Sequence, residues 1–143
     1  MPGARRATSI DDVLDLRTDL AEPLDDLLAT LRAGPIEREL LDSCEALVRR
    51  RIGVPVTGPV PDTSARDLDA RTRNVLYLTE QFVLDPHGID IDLRDAVLDH
   101  CSLEELATLV QAIAVFDALA RMEAVLTSPD DEQDDDEDDE GET

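Results

Sequence analysis

The chain has 143 residues with 35 acidic and 13 basic side chains, a formal net charge of −22, and a length that supports one modest core rather than two. Every basic residue is an arginine and none belongs to a basic stripe, which argues against direct binding to nucleic-acid phosphates. No run of about 18 apolar residues occurs, and the start MPGARRATSIDD turns acidic before a signal-like segment begins, so a soluble cytoplasmic protein without a membrane segment is expected.

Arginine to the exclusion of lysine, with abundant Ala, Leu, Asp and Val, is the bias of a GC-rich bacterial genome. The charge is unevenly spread: 11 of the 35 acids fall in the final DDEQDDDEDDEGET, leaving 24 acids against 13 arginines before it, a body near −11. A block of like charges repels itself, so residues 129–143 are expected to be a disordered acidic tail. Such a tail either solubilises the chain or contacts a basic protein partner. Residues 1–8 are expected to be a flexible start and 9–128 the folded domain.

Along that domain the apolar spacing is helical almost throughout. Ser9, with Asp12 three residues on, marks a helix start whose apolar face is Val13, Leu14, Leu16 and Leu20. Pro23 suits a first helical position, followed by Leu24, Leu27, Leu28 and Leu31 at i, i+3, i+4, i+7, with Gly34 as the stop. Pro35 opens the next expected helix, where Ile36, Leu40, Leu41, Cys44, Leu47, Val48 and Ile52 form one stripe. GVPVTGPVPDTSARD then predicts a Pro/Gly-rich loop over 53–67. Leu68, Thr72, Val75, Leu76, Thr79, Phe82 and Val83 restore helical spacing up to Asp85, where Pro86 and Gly88 break it. A short helix over about 90–100 turns Leu93, Val97 and Leu98 inward. Ser102 and Glu105 form a capping box for a last helix from Leu103 to about Thr127. That helix is apolar on almost every side, interrupted by Thr108, Gln111, Asp117, Arg121 and Glu123, so it belongs at a centre or a subunit contact. The reading is all-α, with about six helices.

The segment ARTRNVLYLTEQFVLDPHGIDIDLRDAVLDHCSLEELATLVQAIAVFDALARMEAVL resembles the carboxymuconolactone decarboxylase and AhpD-like alkylhydroperoxidase family. The likeness lies in a helix carrying an (A/T)-E-x-(F/L) pattern, a Pro-containing turn, a short helix and a Ser-capped apolar helix. PIERELLDSCEALVRRRIGVP is similar to the family's preceding helix, and together the two segments cover about two-thirds of the chain. The resemblance implies an AhpD-like helical bundle that assembles into a homo-oligomer. In peroxidase-like members a C-x-x-C with a nearby His follows that helix, because a thiolate attacks the peroxide and a second thiol resolves it. Here the same place reads GVPVTGPVPDT, with no Cys, no His and no carboxylate before Asp62. Nothing there carries over as catalytic.

Four residues remain as candidates elsewhere: Cys101, His100, Glu80 and Cys44. Cys44 falls on the apolar stripe, where a thiol behaves as a small hydrophobe. Cys101 approaches the start of the last helix, a place that activates a thiol, although packing under the turn is the commoner role there. His100 faces a helix C-terminus, and His87 sits in the D-P-H-G turn as a turn residue. Glu80 has a possible ion-pair partner in Arg73, and Gln111 has a possible bridging or pocket-lining role inside the apolar helix. Neither cysteine belongs to a metal-ligand spacing, so no metal or cofactor is expected. The leading expectation is a redox-inactive pseudoenzyme of the AhpD-like kind, acting as a binding or assembly protein. A divergent thiol-dependent peroxidase or decarboxylase-like enzyme, and an acidic-tailed adaptor, are the alternatives.

Overall fold

The computed structural model describes residues 9–127; the expectations for residues 1–8 and for the acidic tail over 129–143 lie outside the described residues. Within them the protein is all-α, as the spacing predicts, with no strand. The helices are α1 (Ile10–Leu14), α2 (Thr18–Arg32), α3 (Arg38–Ile52), α4 (Ala70–Leu84), α5 (Ile91–Leu98) and α6 (Leu103–Leu126), with one 3-10 turn at Pro86–Gly88.

Short polar side chains set most of the starts. The Ser9 hydroxyl accepts from the Asp12 amide at 3.2 Å, Asp69 from Thr72 at 2.7 Å and Asp90 from Leu93 at 2.9 Å. Each satisfies an amide that the helix itself leaves open. The capping box of α6 is complete, with Ser102 accepting from the Glu105 amide at 3.1 Å and Glu105 accepting from the Ser102 amide at 3.2 Å. At the other end of α3, Gly53 adopts φ 93°, a left-handed conformation that glycine enters without a side-chain penalty.

The middle of the molecule is α3, packed between α4 and α6. Leu41, Cys44 and Val48 of α3 meet Val75, Leu76 and Thr79 of α4 and Leu109, Ile113 and Phe116 of α6, all buried. Burial of one such aliphatic side chain is worth roughly 1.5–3 kcal/mol, so this three-helix sandwich dominates the stability. Leu93 and Val97 of α5 extend the same core under α4. Leu78 and the loop residue Val54 are also buried, although neither lies on the predicted stripes.

The first two helices depart most from expectation. α1 has five residues and buries none of them, and α2 begins at Thr18 and buries only Leu31. Pro23 is therefore inside α2 rather than at its first position. Its missing amide leaves the carbonyl of exposed Asp19 to water, which makes an interior proline tolerable. Leu16 and Leu20 face solvent instead of a core. Pro35 likewise does not open α3: Gly34 to Ile36 form a bend that buries Ile36, and the helix starts at Arg38. Gln111 is exposed, because α6 directs Leu109, Ala112, Ile113, Phe116, Ala120 and Glu123 inward and position 111 falls on the opposite side.

Candidate functional site

The four candidate residues are not brought together. Cys44 is fully buried in α3, its sulfur 3.3 Å from the Thr79 hydroxyl, which also bonds the Val75 carbonyl at 2.9 Å. Burial pushes this thiol up to about 11. Cys101 lies in the turn between α5 and α6, with the Arg71 guanidinium 3.4 Å from its sulfur. Burial outweighs that cation and raises the Cys101 thiol too. Both cysteines are free. Cys44 meets α4 at Thr79 and Cys101 meets it at Arg71, eight residues earlier and about 12 Å away along the axis.

Arg71 explains the clustering around His100 and Cys101. From the first turn of α4 it donates to the His100 carbonyl at 2.8 Å, to Glu37 at 3.0 and 3.2 Å and to Glu105. One guanidinium thus ties the starts of α3, α4 and α6 to the α5–α6 turn, and it holds the Glu105 carboxyl below its ordinary range. The His100 side chain is exposed. His87 is exposed as well, in a turn whose Asp85 side chain accepts from the His87 amide.

Glu80 pairs with Arg51 at 2.6 Å, not with Arg73, which donates to the Leu68 carbonyl. Seven residues on one helix are about 10 Å apart along its axis, whereas Arg51 projects from the end of α3 beside α4. The pair lines a cavity of about 350 Å³ with Arg50, Asp62 and Thr63. Two arginines balance two carboxylates there, and Thr63 of the 53–67 loop donates to Glu80 at 3.5 Å.

The larger concavity lies elsewhere. A groove of about 1020 Å³ runs beneath α1 and α2, walled by α3, α6 and residues 55–59. α2 packs on α6 and reaches α3 through Arg32, which pairs with Glu45 at 2.6 Å. Arg49 of α3 pairs with Glu123 of α6 at 2.7 Å and donates from Nε to the Pro55 carbonyl at 2.8 Å. Glu123 is only 4% exposed, and the nearby Oε2 sits off hydrogen-bond geometry, so its contact with Arg49 is electrostatic. In the sequence Glu123 stands only as an interruption of an apolar helix. The signal was available, since Phe116, Ala120 and Glu123 share one face and a carboxylate on a buried face requires a cation.

The other surface of note is the outer side of α6. Residues advance about 100° per position, which puts Leu103, Ala107, Val110, Ala114, Ala118 and Val125 within about 40° of a single line, opposite the buried face. Leu103 is 72% and Val125 76% exposed. Arg121 is the only charge on that line. No protein-family model matches the chain, and no curated protein or solved structure does either. Among the described residues no group of His, Cys, Asp and Glu is placed to hold a metal ion, and no helix is long and apolar enough to cross a membrane.

Proposed function

We propose that this chain is a redox-silent assembly protein that forms homo-oligomers through the outer face of α6. The observation that carries the reading is that α6 is apolar on two opposite sides, one filling the core and the other leaving Leu103, Val110 and Val125 exposed along the helix, with Arg121 as its one charge, held by Asp117 and the Val83 carbonyl. Apolar stripes of this extent on a soluble protein mark contact surfaces. The stripe is also self-complementary. In an antiparallel two-fold pairing centred on Ala114, Leu103 faces Val125, Val110 faces Ala118, and small Ala114 meets its own copy, which permits close helix approach. Arg121 then lies beside Glu104 of the second copy.

The positions of the thiols support the redox-silent half: each is buried and raised, and each has a structural neighbour in Thr79 or Arg71. Kinship with the AhpD-like family is part of the proposal, resting on the order of elements in the sequence, and so is a cytoplasmic address. Two experiments test the reading. An Ala114→Cys variant should cross-link to itself under mild oxidation; failure to do so while a Leu103→Cys/Val125→Cys variant cross-links would displace the register. Hydrogen peroxide and an alkyl hydroperoxide should oxidise Cys44 and Cys101 in native protein no faster than free cysteine, and a much faster reaction at either would replace this reading with a divergent peroxidase.

A further inference from the structure

We propose that the groove beneath α1 and α2 docks a basic amphipathic helix of a partner protein. It is a different surface from the outer face of α6, so the inference goes beyond self-assembly. Three observations specify the occupant.

The first is shape. At about 1020 Å³ the groove lies at the upper end of small-molecule sites, and it is an open trough walled by separate helices rather than a closed pocket, which suits an elongated guest. The second is the apolar lining, where Leu14, Leu24 and Leu28 from the first two helices and Leu119 of α6 are partly exposed above the buried Ala46 and Phe116. An apolar trough between helices is the receptor for the apolar face of a helix, read as anchors at i, i+3, i+4 and i+7. The third is charge. Six carboxylates and two arginines line the groove, and the arginines are already engaged by Glu45 and Glu123. Asp11, Asp25 and Glu39 on the rim are exposed and make no ion pair among the described residues. Apolar anchors along the floor with lysines or arginines at the rim are the complement of that lining. An acidic peptide or a phosphate-bearing ligand would meet repulsion instead.

The test uses the full chain and a synthetic 18-residue peptide with leucines at helical i, i+3, i+4, i+7 spacing and lysines elsewhere, followed by fluorescence anisotropy. Two controls separate the groove from the acid run after Pro129: a peptide of equal charge with serine for leucine, and the chain variant Asp25→Lys/Glu39→Lys, whose changes are at exposed sites and spare the core. The expected result is binding of the leucine–lysine peptide that weakens by about tenfold, or 1.4 kcal/mol, for the serine peptide and again for the double variant. Equal binding of both peptides, or undiminished binding to the double variant, overturns the proposal and assigns attraction to general acidity. A photo-reactive leucine analogue in the peptide should label residues of α2 or α3, and labelling confined to α6's outer face overturns it as well. Ala114→Glu, which abolishes self-assembly if that reading holds, should leave peptide binding unchanged, so the two proposals fail separately.

Discussion

The first two helices and the α3–α4–α6 sandwich are built from the same leucine-rich, acid-rich composition, yet they do opposite things. In the sandwich, apolar residues of three helices converge and almost nothing of Leu41, Val75 or Ile113 is left exposed. In α1, α2 and the turn between them leucines are as frequent but Leu16, Leu20 and Leu27 remain open, and the two helices hold to the body through their contacts with α6 and the Arg32–Glu45 pair. Periodicity marks a helix as amphipathic without saying whether another helix is available to cover it. The sandwich uses its apolar faces for stability, whereas the first two helices and the outer side of α6 leave part of theirs exposed.

The widest gap between these regions should show in core truncations. Leu41→Ala should cost about 2–5 kcal/mol, while Leu27→Ala on the exposed side of α2 should stay within about 0.5 kcal/mol; chemical denaturation of both variants measures the difference. Next in size is the alkaline response of Cys44. Its thiol ionises near the ordinary value of 9.0 when unfolded but near 11 when folded, so between those values the unfolded chain binds fewer protons and stability falls as pH rises. The loss should total about 2–3 kcal/mol, and Cys44→Ala should flatten it.

A smaller effect is expected at the junction of helix starts. Arg71→Ala should lower stability by about 1–2 kcal/mol at neutral pH, with allowance for solvent screening. Because Arg71 depresses the Glu105 carboxyl, its contribution is present above the ordinary carboxylate range and fades as pH falls through the folded value. The variant and the native protein should therefore converge in acid, as thermal melts across pH would show. The smallest is Asp117→Asn, which breaks the 3.0 Å i, i+4 pair with Arg121 on α6 and should cost about 0.3–0.5 kcal/mol.

Most of the helical framework was legible where a local rule and a stripe agreed. Ser102 and Glu105 announced α6 through their spacing alone, and the α3 stripe from Ile36 to Val48 became core residue by residue. What was not legible depended on tertiary neighbours. Glu80 had an arginine in its own helix as the apparent partner, but Arg51 reaches it across the α3–α4 interface. Cys101 and His100 looked like chemistry because they are adjacent, and the reason is Arg71, thirty residues away from Cys101. Pro23 fitted a helix start by residue type, yet an exposed helix absorbed it. Of the surfaces now offered for function, the α6 face was foreshadowed by its uniform apolarity, whereas the groove depends on how α2 meets α3 and no single segment encodes it.

Sedimentation equilibrium of the full chain at low and high salt, beside Ala114→Glu, tests assembly through α6 most directly. The native protein should be an oligomer that tightens as salt screens the repulsion between copies of charge −22, and Ala114→Glu should be a monomer that keeps the native helical content, its melting temperature no longer dependent on concentration. A native protein that stays monomeric at high salt, or an Ala114→Glu variant that still assembles, would contradict it.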